Sequence, residues 1–128
     1  MGKHSIIVVK NENNEYLQKY IESWSSYLFL NCKVSNYTDI ETIKKYVSEE
    51  LGVTDIEVNY VDERTHSKFS EKDKIVKEYI HYFFNVVINE EYNLPEGFKW
   101  FSIEDMENDE RIMEVNSDIV GYIKELKM

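Results

Sequence analysis

The run Tyr79-Ile80-His81-Tyr82-Phe83-Phe84-Asn85-Val86-Val87-Ile88 does most to limit how this chain can fold. β-Branched and aromatic side chains suit a pleated, half-buried surface, so Ile75 to Ile88 reads as a central strand. Just before it, Ile56, Val58 and Tyr60 alternate with Glu57 and Asn59, which buries one face and leaves the other polar. That segment is the expected sheet partner. The polar stretch Ser67 to Lys74 reads as the loop between them.

The other elements follow from periodicity and punctuation. His4 to Val9 reads as a short buried strand. Asn11 to Asn14 supplies a turn, and Tyr16 to Tyr20 a second strand, giving an opening hairpin. Past the loop Glu22 to Ser26, Tyr27 to Leu30 reads as a third, short strand, followed by the polar stretch Asn31 to Tyr37. Thr38-Asp39-Ile40-Glu41 has capping-box spacing, and Ile40, Ile43, Val47 and Leu51 form one apolar stripe. This predicts a helix over about Asp39 to Leu51, ended by Gly52. The turn Asn93 to Gly97 precedes a short strand, Phe98 to Phe101, after which Ser102 and Asp105 repeat helix-start chemistry. Ile119, Val120, Ile123 and Leu126, behind Ser117-Asp118, form a closing amphipathic helix.

A chain of 128 residues suits one domain, 1–128, and with 42% hydrophobic and 14% aromatic residues it has enough core material to fold unaided. A net charge of −10 argues against gripping a long nucleic acid, which is driven by Lys and Arg displacing counterions, but leaves a nucleotide-sized ligand open. The lone Cys32 cannot close an internal disulfide and reads as a small hydrophobe. No apolar stretch approaches the roughly 20 residues of a membrane span, so no membrane association and a cytoplasmic setting are expected.

The order of strand, hairpin partner, Trp24-containing loop, short strand, helix ending Glu49-Glu50-Leu51-Gly52-Val53, long strands, Lys99-Trp100-Phe101-Ser102 and terminal helix resembles the Nudix hydrolase family along nearly the whole chain. The family box runs G, five residues, E, seven residues, R-E-U-x-E-E-x-G-U, where U is a bulky aliphatic residue; Val47, Glu49, Glu50, Gly52 and Val53 match its tail. Four other positions depart from it. The glycine becomes Asn31, the first glutamate Tyr37, the arginine Lys45 and the next glutamate Tyr46. The Pro-Gly-Gly turn that usually precedes the box is also absent. The resemblance implies an α/β (α+β) fold, a Nudix-type α/β/α sandwich with a mixed central sheet, carrying a degenerate Nudix box.

Cleaving a pyrophosphate takes divalent ions held by clustered oxygen ligands. On a helix, positions 46, 49 and 50 share one face, where family members put three glutamates. The resemblance therefore implies Glu49 and Glu50 as catalytic residues and, with Glu91, as ligands of Mg²⁺ or Mn²⁺. Glu91 is taken from the late-loop carboxylates Glu90, Glu91 and Glu96. Tyr37 and Tyr46 fall at box positions that would face the ligand cleft, and Lys33, in the box loop, could meet phosphate oxygens; these three are the candidate substrate-binding residues. A neutral phenol at position 46, with a pKa of about 10, should weaken the metal site.

The implied function is recognition of a small nucleoside diphosphate derivative, with weak or non-standard metal-dependent pyrophosphohydrolase activity. The alternative is a catalytically inactive Nudix-fold module for ligand sensing or protein interaction. A non-Nudix α+β interaction domain would follow if Glu49 and Glu50 lay remote from any cleft. The family often dimerises, so a homodimer stays open. His4, His66 and His81 lack the close pairwise spacing of a zinc site and read as structural, and Tyr79, Tyr82, Phe83 and Phe84 read as core.

Overall fold

A computed structural model of the chain describes residues 2–70 and 73–128. The elements, in order, are β1 (Gly2–Val9), β2 (Tyr16–Ile21), a 3-10 turn (Glu22–Trp24), β3 (Ser26–Lys33), α1 (Ile40–Leu51), β4 (Ile56–Ser70), β5 (Ile75–Ile88), β6 (Phe98–Phe101), α2 (Ile103–Glu107) and α3 (Glu110–Glu125). The strands form one six-stranded sheet in the order β4-β5-β1-β3-β2-β6. It is mixed: β1 runs parallel to β5, and the other pairings are antiparallel.

Alternation along the strands sends side chains to two cores. Ile7, Val9, Leu17, Leu30 and Phe84 pack against Ile43, Val47 and Leu51 of α1. Ile6, Val8, Phe29 and Phe83 pack on the opposite face against Met106 of α2 and Ile112, Ile119 and Ile123 of α3. This is the α/β/α sandwich with a mixed sheet, and each face is apolar because each is covered by helices.

Local chemistry explains the boundaries. Asn11 Oδ1 accepts from the backbone N–H groups of Asn13 and Glu15, which fixes the β1–β2 turn. Gly52 ends α1 at φ 68°, a left-handed conformation that glycine adopts without steric cost. The Ser102–Asp105 capping box forms as read from the sequence.

Three sequence expectations are corrected. The expected capping box at Thr38 does not form. Asp39 is the N-cap residue, Thr38 bonds the Asn36 side chain instead, and Thr42 Oγ1 donates to Asp39 Oδ1 at 2.6 Å. Ser67–Ser70, read as loop, continue β4, because register pairing with β5 extends from Ile56↔Ile88 to Ser70↔Ile75 and backbone bonding overrides polar composition. Of the rest of that expected loop, 71–72 lie outside the described residues, and Asp73–Lys74 form a turn. The closing helix also begins earlier than its apolar stripe suggests. α3 starts at Glu110 and kinks at Asn116, where φ is −135° and ψ is 24°, just before the expected Ser117-Asp118 start.

Candidate ligand site and the face of α1

α1 and β2 carry the box residues. Tyr46 is half-buried against the α1 core, and its neighbour on the helix face is Glu50. Lys19, pointing from β2 to the same side of the sheet as Leu17, donates to Glu50 Oε2 at 2.8 Å. The two side chains are 32% and 26% exposed, so the pair is shielded well enough to hold its geometry. The Lys19 ammonium also lies 5.6 Å from the centre of the Phe98 ring, which restricts it further. Glu49 is exposed one residue away and forms no ion pair with a described residue.

The Tyr46 hydroxyl is pushed up to about 12 by burial first and by the Glu50 carboxylate second, while a backbone hydrogen bond at Asn31 pulls the other way. It is therefore a neutral phenol at any physiological pH. Because the folded state holds this proton more tightly than the unfolded chain, stability is unaffected below pH 10 and falls between pH 10 and about 12. Tyr46→Phe should flatten that fall, read by urea denaturation at pH 9 and pH 11. Tyr16 and Tyr92, also raised by burial, will keep a residual slope.

The remaining candidates do not gather round this face. Glu91 lines an open cleft with Lys10, Asn11 and Tyr92, and neither Glu49 nor Glu50 borders it. Its neighbour Glu90 caps the loop after α1, accepting from the Asp55 N–H at 2.7 Å and from the Thr54 N–H, and these bonds lower its pKa. Tyr37 is 50% exposed and packs its ring 5.0 Å from Tyr60 of β4. Lys33 sits at the end of β3 in register with His4. Among the described residues, no three His, Cys, Asp or Glu side chains are grouped so as to hold a metal ion. With a lysine on Glu50 and a phenol at the third position, the donor set here does not fit a divalent cation.

A second, smaller cleft lies on the other face of the sheet. It measures about 350 Å³ and runs beneath the kink of α3, with His4, His66, Tyr79 and His81 as its floor and Trp24 and Asn116 at its rim. Register creates the floor. His4 pairs with His81 across the parallel β1–β5 ladder and His66 with Tyr79 across β4–β5, so strand positions far apart in sequence share one face. The His66 and His81 rings stack at 4.8 Å, and His4 lies 6.3 Å from His81. His66 Nε2 is 3.4 Å from Asp118 Oδ2 on α3. The Trp24 loop is fastened to α3 by Arg111, whose Nε and Nη2 donate to the Trp24 carbonyl at 2.9 and 2.6 Å. Asn31 borders this cleft, and its backbone lies close to the Tyr46 hydroxyl on the opposite face.

This grouping is what the sequence reading missed. The histidines are not simply packed into the core: they line a cavity, and Tyr79 lines it with them. Tyr82, Phe83 and Phe84 are core, as expected. Cys32 is half-buried beside Ser5, their Sγ and Oγ 3.3 Å apart, and burial raises its pKa. Among the described residues, no helix is long and apolar enough to cross a membrane.

The six-stranded mixed sheet between α1 and the α2–α3 pair superposes on solved structures over essentially its whole length. The Ap4A hydrolase of C. elegans matches with a TM-score of 0.63 at 12% identity, covering 99% of this chain and 96% of that one. The MutT protein of Methanosarcina mazei Go1 matches at 0.66 and 14%, covering 98% and 92%. The chain has the Nudix fold. The NUDIX domain of Shewanella oneidensis NrtR, solved with ADP ribose, is similar as well, with a TM-score of 0.67 at 6% identity, covering 100% of this chain and 89% of that domain. No family model matches the sequence. No curated protein matches it either. Identities this low carry the Nudix backbone and leave the side-chain chemistry to be read from this chain itself.

Proposed function

We propose that this chain is a Nudix-fold binding module for a small nucleoside diphosphate derivative, with metal-dependent pyrophosphohydrolase activity reduced to a residual level. The observation that carries this reading is the Lys19–Glu50 ion pair beside Tyr46. A lysine bonded to one carboxylate supplies the positive charge that a divalent ion would bring, and a phenol cannot replace a second carboxylate as an anionic ligand. The ligand class is supported by the cavity under α3 and by fold neighbours named for Ap4A, UDP-X and ADP ribose.

The test measures binding of ADP-ribose and ADP by calorimetry in EDTA and again in Mg²⁺ or Mn²⁺, with product release followed in parallel. Binding should persist in EDTA, and turnover should stay near background. Robust metal-dependent turnover that disappears in a Glu49→Gln, Glu50→Gln double variant would make the chain an enzyme with an altered box. Failure to bind any nucleotide under either condition would remove the reading altogether.

A further inference from the structure

The loop between β2 and β3 is tied to a helix that it does not need for its own closure. Ile21 and Ser26 pair across the two strands, and inside the loop the Ser25 N–H donates to the Glu22 carbonyl at 3.0 Å, so the 3-10 turn closes on itself. Arg111, near the start of α3, adds a further hold. Its Nε and Nη2 both donate to the Trp24 carbonyl, at 2.9 and 2.6 Å, while Nη1 lies 3.2 Å from Glu114 Oε1. We propose that Arg111 is a positioning residue that presets Trp24 as the stacking face for a ligand's base at the cleft under α3. This deepens the nucleotide-binding reading and rests on it.

Geometry gives the bond its meaning. One side of the cleft is lined by Trp24, Leu28 and Phe29, another by Val115, Asn116 and Ile119 of α3. The Arg111–Trp24 bond runs from the helix to the loop, so it fixes how far the rim stands from α3. A planar guanidinium with two N–H groups on one oxygen sets direction as well as distance, which a flexible ammonium does not. The helix end of the clamp is itself secured, because Asp109 caps α3 by accepting from the Ile112 N–H at 3.0 Å. At the loop end Ser25 sits at φ 50°, a left-handed conformation that a side chain disfavours, so cutting the clamp lets the loop relax.

What α3 holds is the carbonyl of Trp24, and the residue stays 52% exposed, so its position is fixed while about half of it is open to a flat partner. Stacking a base on an aromatic side chain is worth roughly tenfold to a hundredfold in affinity. A rim that already stands in the binding position yields that gain in full. One that spends only a fraction of its time there gives an apparent affinity lower by that fraction. The guanidinium is not arranged for phosphate recognition, since all three of its nitrogens are engaged by Trp24 and Glu114.

The test uses full-length protein carrying Trp100→Phe, which leaves Trp24 as the one tryptophan. The Arg111 side chain is 41% exposed, so Arg111→Met and Arg111→Lys should both fold. In the free protein, the fluorescence anisotropy of Trp24 should decay faster and further in both variants than in the parent. By calorimetry, both should bind ADP roughly threefold to tenfold more weakly and inorganic pyrophosphate as before. Lysine keeps the charge but not the two-pronged geometry, so its agreement with methionine assigns the effect to position. Trp24→Ala should weaken ADP by roughly tenfold, and adding Arg111→Met to it should cost nothing more, because a platform that is gone cannot be misplaced. Losses that add, an equal loss for pyrophosphate, unchanged ADP binding in Arg111→Met or unchanged Trp24 motion would each overturn the positioning role while the binding module stands. Failure of the unsubstituted protein to bind ADP would remove the nucleotide reading, and this inference with it.

Discussion

Tyr46→Glu combined with Lys19→Met is expected to create a divalent-ion site, with Mn²⁺ binding that saturates in an electron paramagnetic resonance titration and a thermal midpoint that rises on adding Mg²⁺. Hydrolysis of ADP-ribose should increase on the order of 10²-fold or more, the usual scale for restoring a group that stabilises charge in a transition state. Both changes are needed. Tyr46→Glu alone would set a new carboxylate beside Glu50 while Lys19 still bonds it, and Lys19→Met alone would free Glu50 but leave the phenol in place. If the double variant binds no ion, the Lys19–Glu50 pair is not what silences the α1 face, and the proposed function loses its main support.

Phe83→Ala should cost about 3–5 kcal/mol, the range for removing a buried phenylalanine. Phe83 is fully buried on the α3 side of the sheet, between Ile6 of β1 and Asp62 of β4 in register, and its ring meets the edge of Tyr122 at 6.0 Å. A loss of that size takes a large share of the 5–15 kcal/mol that stabilises a typical domain, so Tm should drop by at least about 10 °C. Val87→Ala serves as the comparison. That side chain is 45% exposed four residues further along β5, and its loss should be less than about 1 kcal/mol. Urea unfolding of both variants checks the contrast, and equal losses would mean that β5 is not packed as described.

The sandwich could be read from the sequence because its strongest signals are local. The stripe of Ile43, Val47 and Leu51, the Gly52 stop and the run through Phe83 and Phe84 each specify an element without knowledge of its partners, and each forms. The site was less legible because it is made by register. His4 and His81 meet only because β1 pairs parallel with β5, and no spacing within either strand announces that. Lys19 reaches Glu50 from 31 positions away because Lys19 and Leu17 share a sheet face, a relation visible only once α1 is packed on it. Ser67–Ser70 look like loop residue by residue, yet the β5 backbone opposite them keeps them extended. Where a position is governed by its neighbour on the next strand, composition is a poor guide.

The strand order also sets a timetable for synthesis. β1 leaves the ribosome first, yet in the finished sheet it lies inside, between β3 and β5. The hairpin side of that slot is made early, when β3 arrives. The parallel side stays open until Ile88 has been translated, several seconds later at roughly 5–20 residues per second. During that interval Ile6–Val9, apolar toward both faces, present a bare backbone edge that invites pairing with another nascent copy. Chaperone dependence in cells should therefore track the delivery of β5, and a synonymous recoding that speeds translation of residues 34–88 should raise the yield of native protein.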